Sequence, residues 1–255
     1  MKRHFLLDLD GTLYSGDAPM PHAAEFVACL DACHAPFLAL TNCPSKTAAQ
    51  VSAKLRGMGI SVPREKVLTS GMAAAAILKE EHGARSVFVL GGGALAAECE
   101  AAGLAVSDVA PDAVLVGYDT GLTYERLCLA CALVEGGAKL FCTNPDPVIP
   151  FNGGLVPHTG AIVKAVECAT GRKALCIGKP ETGMFGIAHA MLGGDKKNYV
   201  MLGDRLDTDV LFAKNCGITS WLVSSTVKAD EGVRAPDKHF QNLAEIIRFI
   251  EGERE

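Results

Sequence analysis

Short apolar runs alternate with longer periodic segments along nearly the whole chain, and this alternation constrains the fold more than any other feature. Each run has four to eight residues and ends in or near Gly, Asn or Asp, and the runs are FLLDL, PFLALTN, SVFVLG, DAVLVGY, AKLFCTN, ALCIGK, NYVMLGD and ITSWLVS. Such runs predict buried parallel strands that end in functional loops. The segments between them have apolar residues at helical spacing, and several end in Gly.

This strand–helix alternation predicts the α/β class, in which right-handed crossovers connect parallel strands. The chain holds about eight such units, which is more than one small doubly wound sheet accommodates. The pattern therefore leaves two architectures open, a TIM barrel or a Rossmann-like core that carries an insertion.

Composition disfavours several classes of binding partner. The 255 residues are 49% hydrophobic and include 24 basic and 29 acidic side chains, so the net charge is −5. Binding to nucleic acid polymers needs clustered Lys and Arg, which this acidic balance disfavours. Asp8 and Asp10 interrupt the apolar stretch near the N-terminus, and no run of about 18 apolar residues occurs. We therefore expect a cytoplasmic protein that binds neither nucleic acid polymers nor membranes.

Ten cysteines are scattered along the chain, which is too long to need disulfides for its stability. We expect them to be reduced and to act as small buried apolar residues. The one spacing typical of a metal site is Cys128-x-x-Cys131, and no second pair of this kind accompanies it. The sequence therefore predicts no structural zinc.

The first predicted strand ends in two carboxylates, in the sequence Asp8-Leu9-Asp10-Gly11-Thr12. Residues two apart in a strand point to the same side, so the two aspartates are expected to lie together. Two negative charges are costly to bring together unless a cation or a proton separates them. Since ligands of open α/β sheets bind at the carboxyl ends of strands, this pair marks a candidate site.

Three further predicted strands end in residues that can hold a phosphoryl group or a metal ion. One ends in Thr41-Asn42, a hydroxyl and an amide, and another runs into Lys179. The strand YVMLG is followed by an acidic cluster that begins at Asp204 and ends at Asp209. The four strand ends carry, in chain order, an Asp pair, a Thr, a Lys and an Asp cluster. This combination favours a single shared site over four unrelated loops.

These four motifs resemble those of the haloacid dehalogenase-like hydrolases. DLDGTLY is similar to the first family signature, TNCPS to the second, GKPE to the third and GDRLDTD to the fourth. The last two motifs, and the long gap before them, resemble the NagD-type phosphatases. The resemblance implies a catalytic core built on a Rossmann-like doubly wound parallel sheet, with a large inserted α/β cap domain. It places the core at residues 1–69 and 174–255 and the cap at residues 70–173.

The resemblance also implies a reaction, the Mg²⁺-dependent hydrolysis of small phosphomonoesters. In it Asp8 is the nucleophile that forms an aspartyl-phosphate, and Asp10 is the acid and later the base. The side chains of Asp8 and Asp204 and the backbone carbonyl of Asp10 are implied to hold Mg²⁺. Asp209 is expected to orient a water molecule or Lys179 from behind these ligands.

Phosphate binding is implied for Thr41, Asn42 and Lys179. Thr41 and Lys179 bind the remaining phosphoryl oxygens, Lys179 also compensates the carboxylate charge, and Asn42 supports the phosphate loop. The TNCPS motif departs from its relatives at Cys43 and Pro44, where a second Asn and a Ser are common. Cys43 is predicted to lie next to the phosphate loop, and either its oxidation inhibits the enzyme or it is a small filler residue.

A cap of this size is expected to close over the site, to exclude water and to favour small substrates. Asn144, Asp146 and His158 are the cap residues expected to face the substrate. Sugar phosphates, nucleoside monophosphates, phosphoglycolate, glycerol phosphate and pyridoxal phosphate all stay open, with p-nitrophenyl phosphate as a laboratory substrate. Caps of this family often mediate dimers, so a homodimer through the cap is a further expectation.

Two other functions remain as alternatives. Residues 91–96 match the pattern GxGxxA after an apolar run, which is typical of dinucleotide binding and would indicate a dehydrogenase. The acidic partner expected about 20 residues later is ambiguous, and a tight turn also explains the glycines. The other alternative is a phosphate-binding or regulatory protein on the same fold, without turnover.

Overall fold

The computed structural model of the chain describes residues 3–151, 154–223 and 235–253. Internal contacts divide the chain into two compact units. The first unit consists of Met1–Thr41, Ala48–Leu68 and Phe185–Glu255, and the second of Asn42–Thr47 and Thr69–Met184. The chain therefore enters the second unit twice.

The strands of the described residues are short, as is usual for buried parallel strands. In chain order they are β1 His4–Asp8, β2 Tyr14–Ser15, β3 Ala18–Pro19, β4 Phe37–Thr41, β5 Val67–Thr69, β6 Ser86–Leu90, β7 Ala105–Val106, β8 Ala113–Val116, β9 Lys139–Cys142, β10 Val148–Phe151, β11 Gly154–Pro157, β12 Leu175–Cys176, β13 Tyr199–Gly203, β14 Thr219–Val223 and β15 Lys238–Phe240.

The α-helices alternate with these strands. They are α1 Ala23–Ala32, α2 Ala48–Gly57, α3 Ser70–Glu80, α4 Gly93–Ala101, α5 Tyr124–Glu135, α6 Thr159–Thr170, α7 Gly183–Leu192, α8 Leu211–Cys216 and α9 Leu243–Gly252.

Side-chain caps explain where several of these helices begin. Thr69 precedes α3 and accepts a hydrogen bond from the backbone N–H of Met72 at 3.0 Å. Asn242 does the same for α9, where its Oδ1 accepts from the N–H of Glu245 at 3.1 Å. At the C-terminal end of α6, Gly171 has a φ of +65°, the left-handed conformation that commonly ends a helix.

The first unit is built on a six-stranded sheet with the order β15-β14-β13-β1-β4-β5. The pairs from β15 to β4 are parallel, and β1 lies between β13 and β4. In the register, Leu6 is opposite Met201 on one side and Leu38 on the other. The carboxyl ends of β1, β4 and β13, where ligands bind in such sheets, therefore meet at one edge.

The second unit is built on a five-stranded sheet with the order β12-β9-β8-β6-β7, in which all pairs are parallel. Each unit also has an antiparallel hairpin. In the first unit β2 pairs with β3, and in the second unit β10 pairs with β11.

Each unit has a hydrophobic core of its own. In the first unit Phe5, Phe26 and Phe37 are fully buried, and Phe5 packs edge-on against Trp221 with ring centroids 5.5 Å apart. In the second unit the core joins residues of β6, β8 and β9 to apolar residues of α5 and α6. Because each core is covered by its own helices, each sheet is buried as a parallel sheet requires.

The predicted α/β class is confirmed, and two separate parallel sheets exclude the TIM barrel that the alternation left open. The predicted boundaries of the cap, residues 70–173, stay a prediction. The second unit differs from them at both ends: it also takes in Asn42–Thr47, and it continues to Met184. The second difference arises because β12 pairs with β9, opposite Phe141 and Cys142, and so belongs to the five-stranded sheet.

Within the described ranges, no helix combines the length and the apolar character that crossing a membrane requires.

Candidate active site

Asp8 is the last residue of β1 and lies beside a tight loop. The buried Thr12 donates a hydrogen bond from its Oγ1 to Asp8 Oδ2 at 3.3 Å. The loop turns at Gly11, whose φ of +95° lies in the left-handed region that favours glycine. A Cβ at Gly11 would also lie 2.6 Å from the Cγ of Asp204. Gly11 therefore allows the loop to pass directly beside a second carboxylate.

Asp204 and Asp209 follow β13 and are held there by a tight turn. The residues Leu206–Val210 form a single π-type turn, and the N–H of Arg205 donates to Asp209 Oδ2 at 3.2 Å. Gly203 makes room for this arrangement, because a Cβ at that position would overlap the Asp209 carboxylate. Asp204 is 7% exposed and Asp209 is 2% exposed. Two acidic side chains are thus largely withdrawn from solvent.

Carboxylate oxygens of Asp8, Asp204 and Asp209 all lie within 4.8 Å of one another. Three negative charges this close repel one another unless a cation or protons compensate them. Carboxylate oxygens are the ligands that Mg²⁺ prefers, so the donor set fits the implied metal. The structure brings the predicted ligands Asp8 and Asp204 together and adds Asp209 to the same group. Asp10 is exposed and its carboxylate does not belong to this group of three. The Mg²⁺ ligand predicted for Asp10 is its backbone carbonyl, which this group does not test.

Asp207, in the same acidic segment, is engaged elsewhere. The guanidinium of Arg205 donates two hydrogen bonds to its carboxylate, at 3.0 and 2.8 Å. This ion pair holds the pKa of Asp207 below its ordinary value. Asp207 therefore stays ionised beside its own arginine.

Thr41 ends the strand next to β1. Asp8 is opposite Leu40 in the register of β1 and β4, so Thr41 lies one residue further along at the same edge. The side chain is buried, at 5% exposure. The first unit therefore places the predicted nucleophile, a predicted phosphate ligand and the acidic group at one edge of its sheet.

Lys179 and Asn42 belong to the second unit, where the structure brings them together. Lys179 follows β12 and is 1% exposed. The Oδ1 of Asn42 accepts a hydrogen bond from the N–H of Lys179 at 2.9 Å, and its Nδ2 donates to the carbonyl of Lys179 at 2.8 Å. The same Nδ2 donates to Asp146 Oδ2 at 3.1 Å. The amide of Asn42 therefore contacts the chain on all its polar atoms.

Asn144 was expected to face the substrate, but it has no exposed surface. Its Nδ2 donates to the carbonyl of Asn42 at 2.8 Å and approaches the hydroxyls of Thr143 and Thr159 at 3.3 Å. Its Oδ1 accepts from the N–H of Asp146 at 3.1 Å. Asn144 therefore organises the loop after β9 from inside, whereas Asp146 is partly exposed at its surface.

His158 is 3% exposed and its ring packs against Tyr118, with centroids 4.7 Å apart. None of the residues that the structure describes pairs with the Nδ1 of its imidazole. Burial lowers the pKa of His158, although the nearby charge of Asp146 acts in the opposite direction. The predicted contact of His158 with a substrate stays a prediction.

The cysteines are free, as expected, but not all of them are buried. Cys99, Cys142 and Cys216 are buried, whereas Cys128 and Cys168 are exposed. Burial raises the pKa of Cys99 and of Cys216 to about 12. Cys43 is partly exposed and its Sγ lies 3.0 Å from the hydroxyl of Ser45. Its sensitivity to oxidation stays a prediction.

Sequence reasoning did not identify Ser70 and Tyr118. Ser70 donates to the carbonyl of Asn42 at 2.8 Å, although 28 residues separate the two in the chain. Nothing in the local sequence marks this contact. Tyr118 is the last residue of the predicted strand DAVLVGY, so the rule that ligands bind where strands end could have found it.

Two family models match most of the chain. The model described as haloacid dehalogenase-like hydrolase matches residues 5–105, and the one described as HAD-hydrolase-like matches residues 176–246. An acid sugar phosphatase of Staphylococcus epidermidis is 37% identical over 252 residues, which are 97% of this chain and 97% of that protein.

Solved structures agree with these sequence matches. The 4-nitrophenylphosphatase from Thermotoga maritima superimposes with a TM-score of 0.91 at 38% identity and covers 96% of each chain. NagD from Escherichia coli K-12 gives a TM-score of 0.89 at 31% identity, over 95% of this chain and 97% of that one. Together with the four motifs, these matches establish that the chain belongs to the haloacid dehalogenase-like hydrolases and is a phosphatase of the NagD-like group.

Proposed function

We propose that this phosphatase hydrolyses small phosphomonoesters in a Mg²⁺-dependent reaction that passes through an aspartyl-phosphate on Asp8. The observation that carries the proposal is the group of three carboxylates, Asp8, Asp204 and Asp209, with oxygens within 4.8 Å of one another. Sugar phosphates are the first substrate class to test, because a relative with 37% identity is named an acid sugar phosphatase. p-Nitrophenyl phosphate is the laboratory substrate.

The proposed chemistry has two steps. First, a carboxylate oxygen of Asp8 bonds to phosphorus while the ester P–O bond breaks, and Asp10 gives its proton to the departing alkoxide. Second, a water molecule attacks the phosphorus, Asp10 takes the proton of that water, and the bond between Asp8 and phosphorus breaks. Inorganic phosphate and the free alcohol leave, and both aspartates return to their starting state.

Bound Mg²⁺ would supply the positive charge that lets an anionic ester approach an anionic nucleophile. In this proposal Asp8, Asp204 and the carbonyl of Asp10 hold it, with Asp209 supporting them. Thr41 and Lys179 bind the phosphoryl oxygens. The division into a catalytic core and a cap that limits substrate size belongs to the same proposal.

Phosphate release from a panel of sugar phosphates, measured with and without Mg²⁺, tests this function. We expect release that chelation abolishes and Mg²⁺ restores, and we expect Asp8→Asn to lower kcat by at least about 10⁴-fold. Asp195→Asn, at an exposed carboxylate, is the matched control. Full turnover by Asp8→Asn would rule out the nucleophile. Tight phosphate binding without any release would favour a binding protein instead.

Asp10→Asn separates the acid from the nucleophile. We expect this variant to slow the hydrolysis of sugar phosphates by about 10²- to 10⁴-fold, since their alkoxides must be protonated as they leave. p-Nitrophenolate needs little protonation, so its ester should lose much less. Equal losses of kcat for both kinds of ester would contradict the acid role of Asp10.

A further inference from the structure

The backbone of Lys179 is held on both of its polar groups by one side chain. Asn42 accepts the N–H of Lys179 at 2.9 Å and donates to its carbonyl at 2.8 Å. These two hydrogen bonds bridge 137 residues of sequence. The position of the Lys179 main chain therefore depends on where the amide of Asn42 is held.

Asn42 is itself fixed by three neighbours. Its carbonyl accepts hydrogen bonds from the hydroxyl of Ser70 and from the amide of Asn144, both at 2.8 Å. Its side chain donates to Asp146 Oδ2 at 3.1 Å, and the N–H of Asp146 donates to Asn144 Oδ1 at 3.1 Å. Asn42, Asn144 and Asp146 thus form a closed hydrogen-bond network, which limits the movement of each member.

The turn before Lys179 has little room to adjust. A Cβ at Gly178 would overlap the carbonyl of Thr143 and would lie 2.7 Å from Asn42 Oδ1. The N–H of Gly178 donates to the carbonyl of Thr143 at 2.9 Å. The close approach of this turn to Asn42 therefore needs a glycine.

The number of N–H donors on the Asn42 side chain bears on whether that side chain can bind phosphate or only holds Lys179. An amide side chain has two N–H donors and one acceptor oxygen. Its two contacts through Nδ2 go to Lys179 and Asp146, and its Oδ1 receives the N–H of Lys179. This leaves no side-chain N–H for a phosphoryl oxygen, so a direct phosphate contact of Asn42, which stays a prediction, would have to use its main chain.

We infer that Asn42 and Asp146 are positioning residues that hold Lys179 in place for the transferred phosphoryl group. The inference rests on the proposed function, in which Lys179 binds that group. A misplacement of about 1 Å of a group at a reaction centre can cost about 100-fold in rate. A network that fixes the Lys179 main chain is therefore of direct use to the reaction.

A double-mutant cycle of Asn42→Ala with Lys179→Ala tests the inference. The readouts are kcat/KM for p-nitrophenyl phosphate and the Kd of inorganic phosphate, measured by calorimetry with Mg²⁺ present. We expect Asn42→Ala alone to lower kcat/KM by about 100-fold and to weaken phosphate binding by about tenfold. In the Lys179→Ala background the same change should alter either quantity by less than about threefold.

Asn198→Ala is the matched control, since Asn198 ends the 3-10 turn directly before β13 and no described residue pairs with its Oδ1. It should leave both quantities unchanged. Equal losses from Asn42→Ala in the two backgrounds would overturn the inference, because Asn42 would then act without Lys179. Unchanged activity and phosphate affinity in Lys179→Ala would instead contradict the proposed function. Should Asn42→Ala not fold, Asn42→Ser completes the same cycle.

Asp146 gives an independent test that separates hydrogen bonding from charge. Asp146→Asn keeps an oxygen that accepts from Asn42 Nδ2, so kcat/KM should stay within about threefold of the parent. Asp146→Ala removes the acceptor but leaves both contacts between Asn42 and Lys179, so the loss should be about tenfold. Equal losses in the two variants would overturn the positioning role of Asp146, since the negative charge would then be what matters.

Discussion

The two parallel sheets of this molecule carry different functional groups at their carboxyl edges. At the carboxyl edge of the six-stranded sheet the structure places carboxylates, namely Asp8, Asp204 and Asp209. At the carboxyl edge of the five-stranded sheet it places Asn144 after β9 and Lys179 after β12, and both are hydrogen-bonded to Asn42, which in turn donates to Asp146. Both edges are made by the same kind of parallel sheet, so the few side chains at each edge determine which ligand it can bind.

The difference also concerns what each edge needs in order to be stable. The carboxylates of the first unit repel one another, and their arrangement calls for a cation. The side-chain amides of Asn42 and Asn144 in the second unit are hydrogen-bonded to main-chain groups and to Asp146, so their arrangement does not call for a cation. We therefore expect changes at the first edge to alter the Mg²⁺ requirement, and changes at the second edge to leave it alone.

Among the changes that test this contrast between the edges, the largest effect is expected for Gly11→Ala, at the first edge. A side chain at a φ of +95° is strained, and its Cβ would lie 2.6 Å from Asp204 Cγ. We expect kcat/KM to fall at least about 100-fold and the half-saturating Mg²⁺ concentration to rise at least about tenfold. Gly59→Ala, with a φ of +78° and no atom within 4 Å, is the matched control. An unchanged Mg²⁺ requirement would contradict the contrast between the edges.

Gly178→Ala, at the second edge, should have a smaller effect of a different kind. Its Cβ would overlap the carbonyl of Thr143 and displace the turn that leads to Lys179. We expect kcat/KM to fall by about 30-fold while the half-saturating Mg²⁺ concentration changes less than about twofold. Gly93→Ala, where no atom lies within 4 Å, serves as the control. A Mg²⁺ requirement that rises together with the loss of rate would show that the two edges are not independent.

The smallest effect concerns the stability of the second unit in acid. Burial lowers the pKa of His158, so the folded state stays neutral at pH values where the unfolded chain already takes up a proton. Stability contributed by the neutral imidazole is therefore lost as the pH falls below the unfolded value of about 6.5. When the pH is lowered from 7.5 to 5.5, the Tm of the parent should fall by about 2 °C more than the Tm of His158→Gln.

The exposed His239 supplies the comparison for this measurement, since His239→Gln should keep the acid sensitivity of the parent. An identical loss of Tm in the parent and in His158→Gln would contradict the role of the buried imidazole.

Local sequence predicts the strands and helices of this fold well. The runs PFLALTN and NYVMLGD contain β4 and β13, and FLLDL covers β1 except for its first residue, because an apolar run followed by Asp or Asn is typical of a buried parallel strand. The weak elements were missed. The hairpin strands β2 and β3 have two residues each, and a pair this short has no periodicity to detect.

The candidate site could be predicted in part, for a physical reason. Asp8 and Thr41 end their strands and Asp204 directly follows one, and the carboxyl ends of parallel strands meet at one edge, so the proximity of these residues follows from the sequence. The roles of Asn42 and Asn144 depend on hydrogen bonds across 102 to 137 residues of chain. Such pairings are fixed by tertiary packing, which no local pattern records.

The double entry of the chain into the second unit has a consequence for synthesis on the ribosome. Asn42 is made 137 residues before Lys179, which at 5 to 20 residues per second is a delay of roughly 7 to 27 seconds. During that delay the amide of Asn42 lacks its partner, and β13 and β14 of the first sheet are not yet made. The second unit is complete at Met184, so a nascent chain must hold the first unit about half-built until Phe185–Glu255, the last 71 residues, emerge.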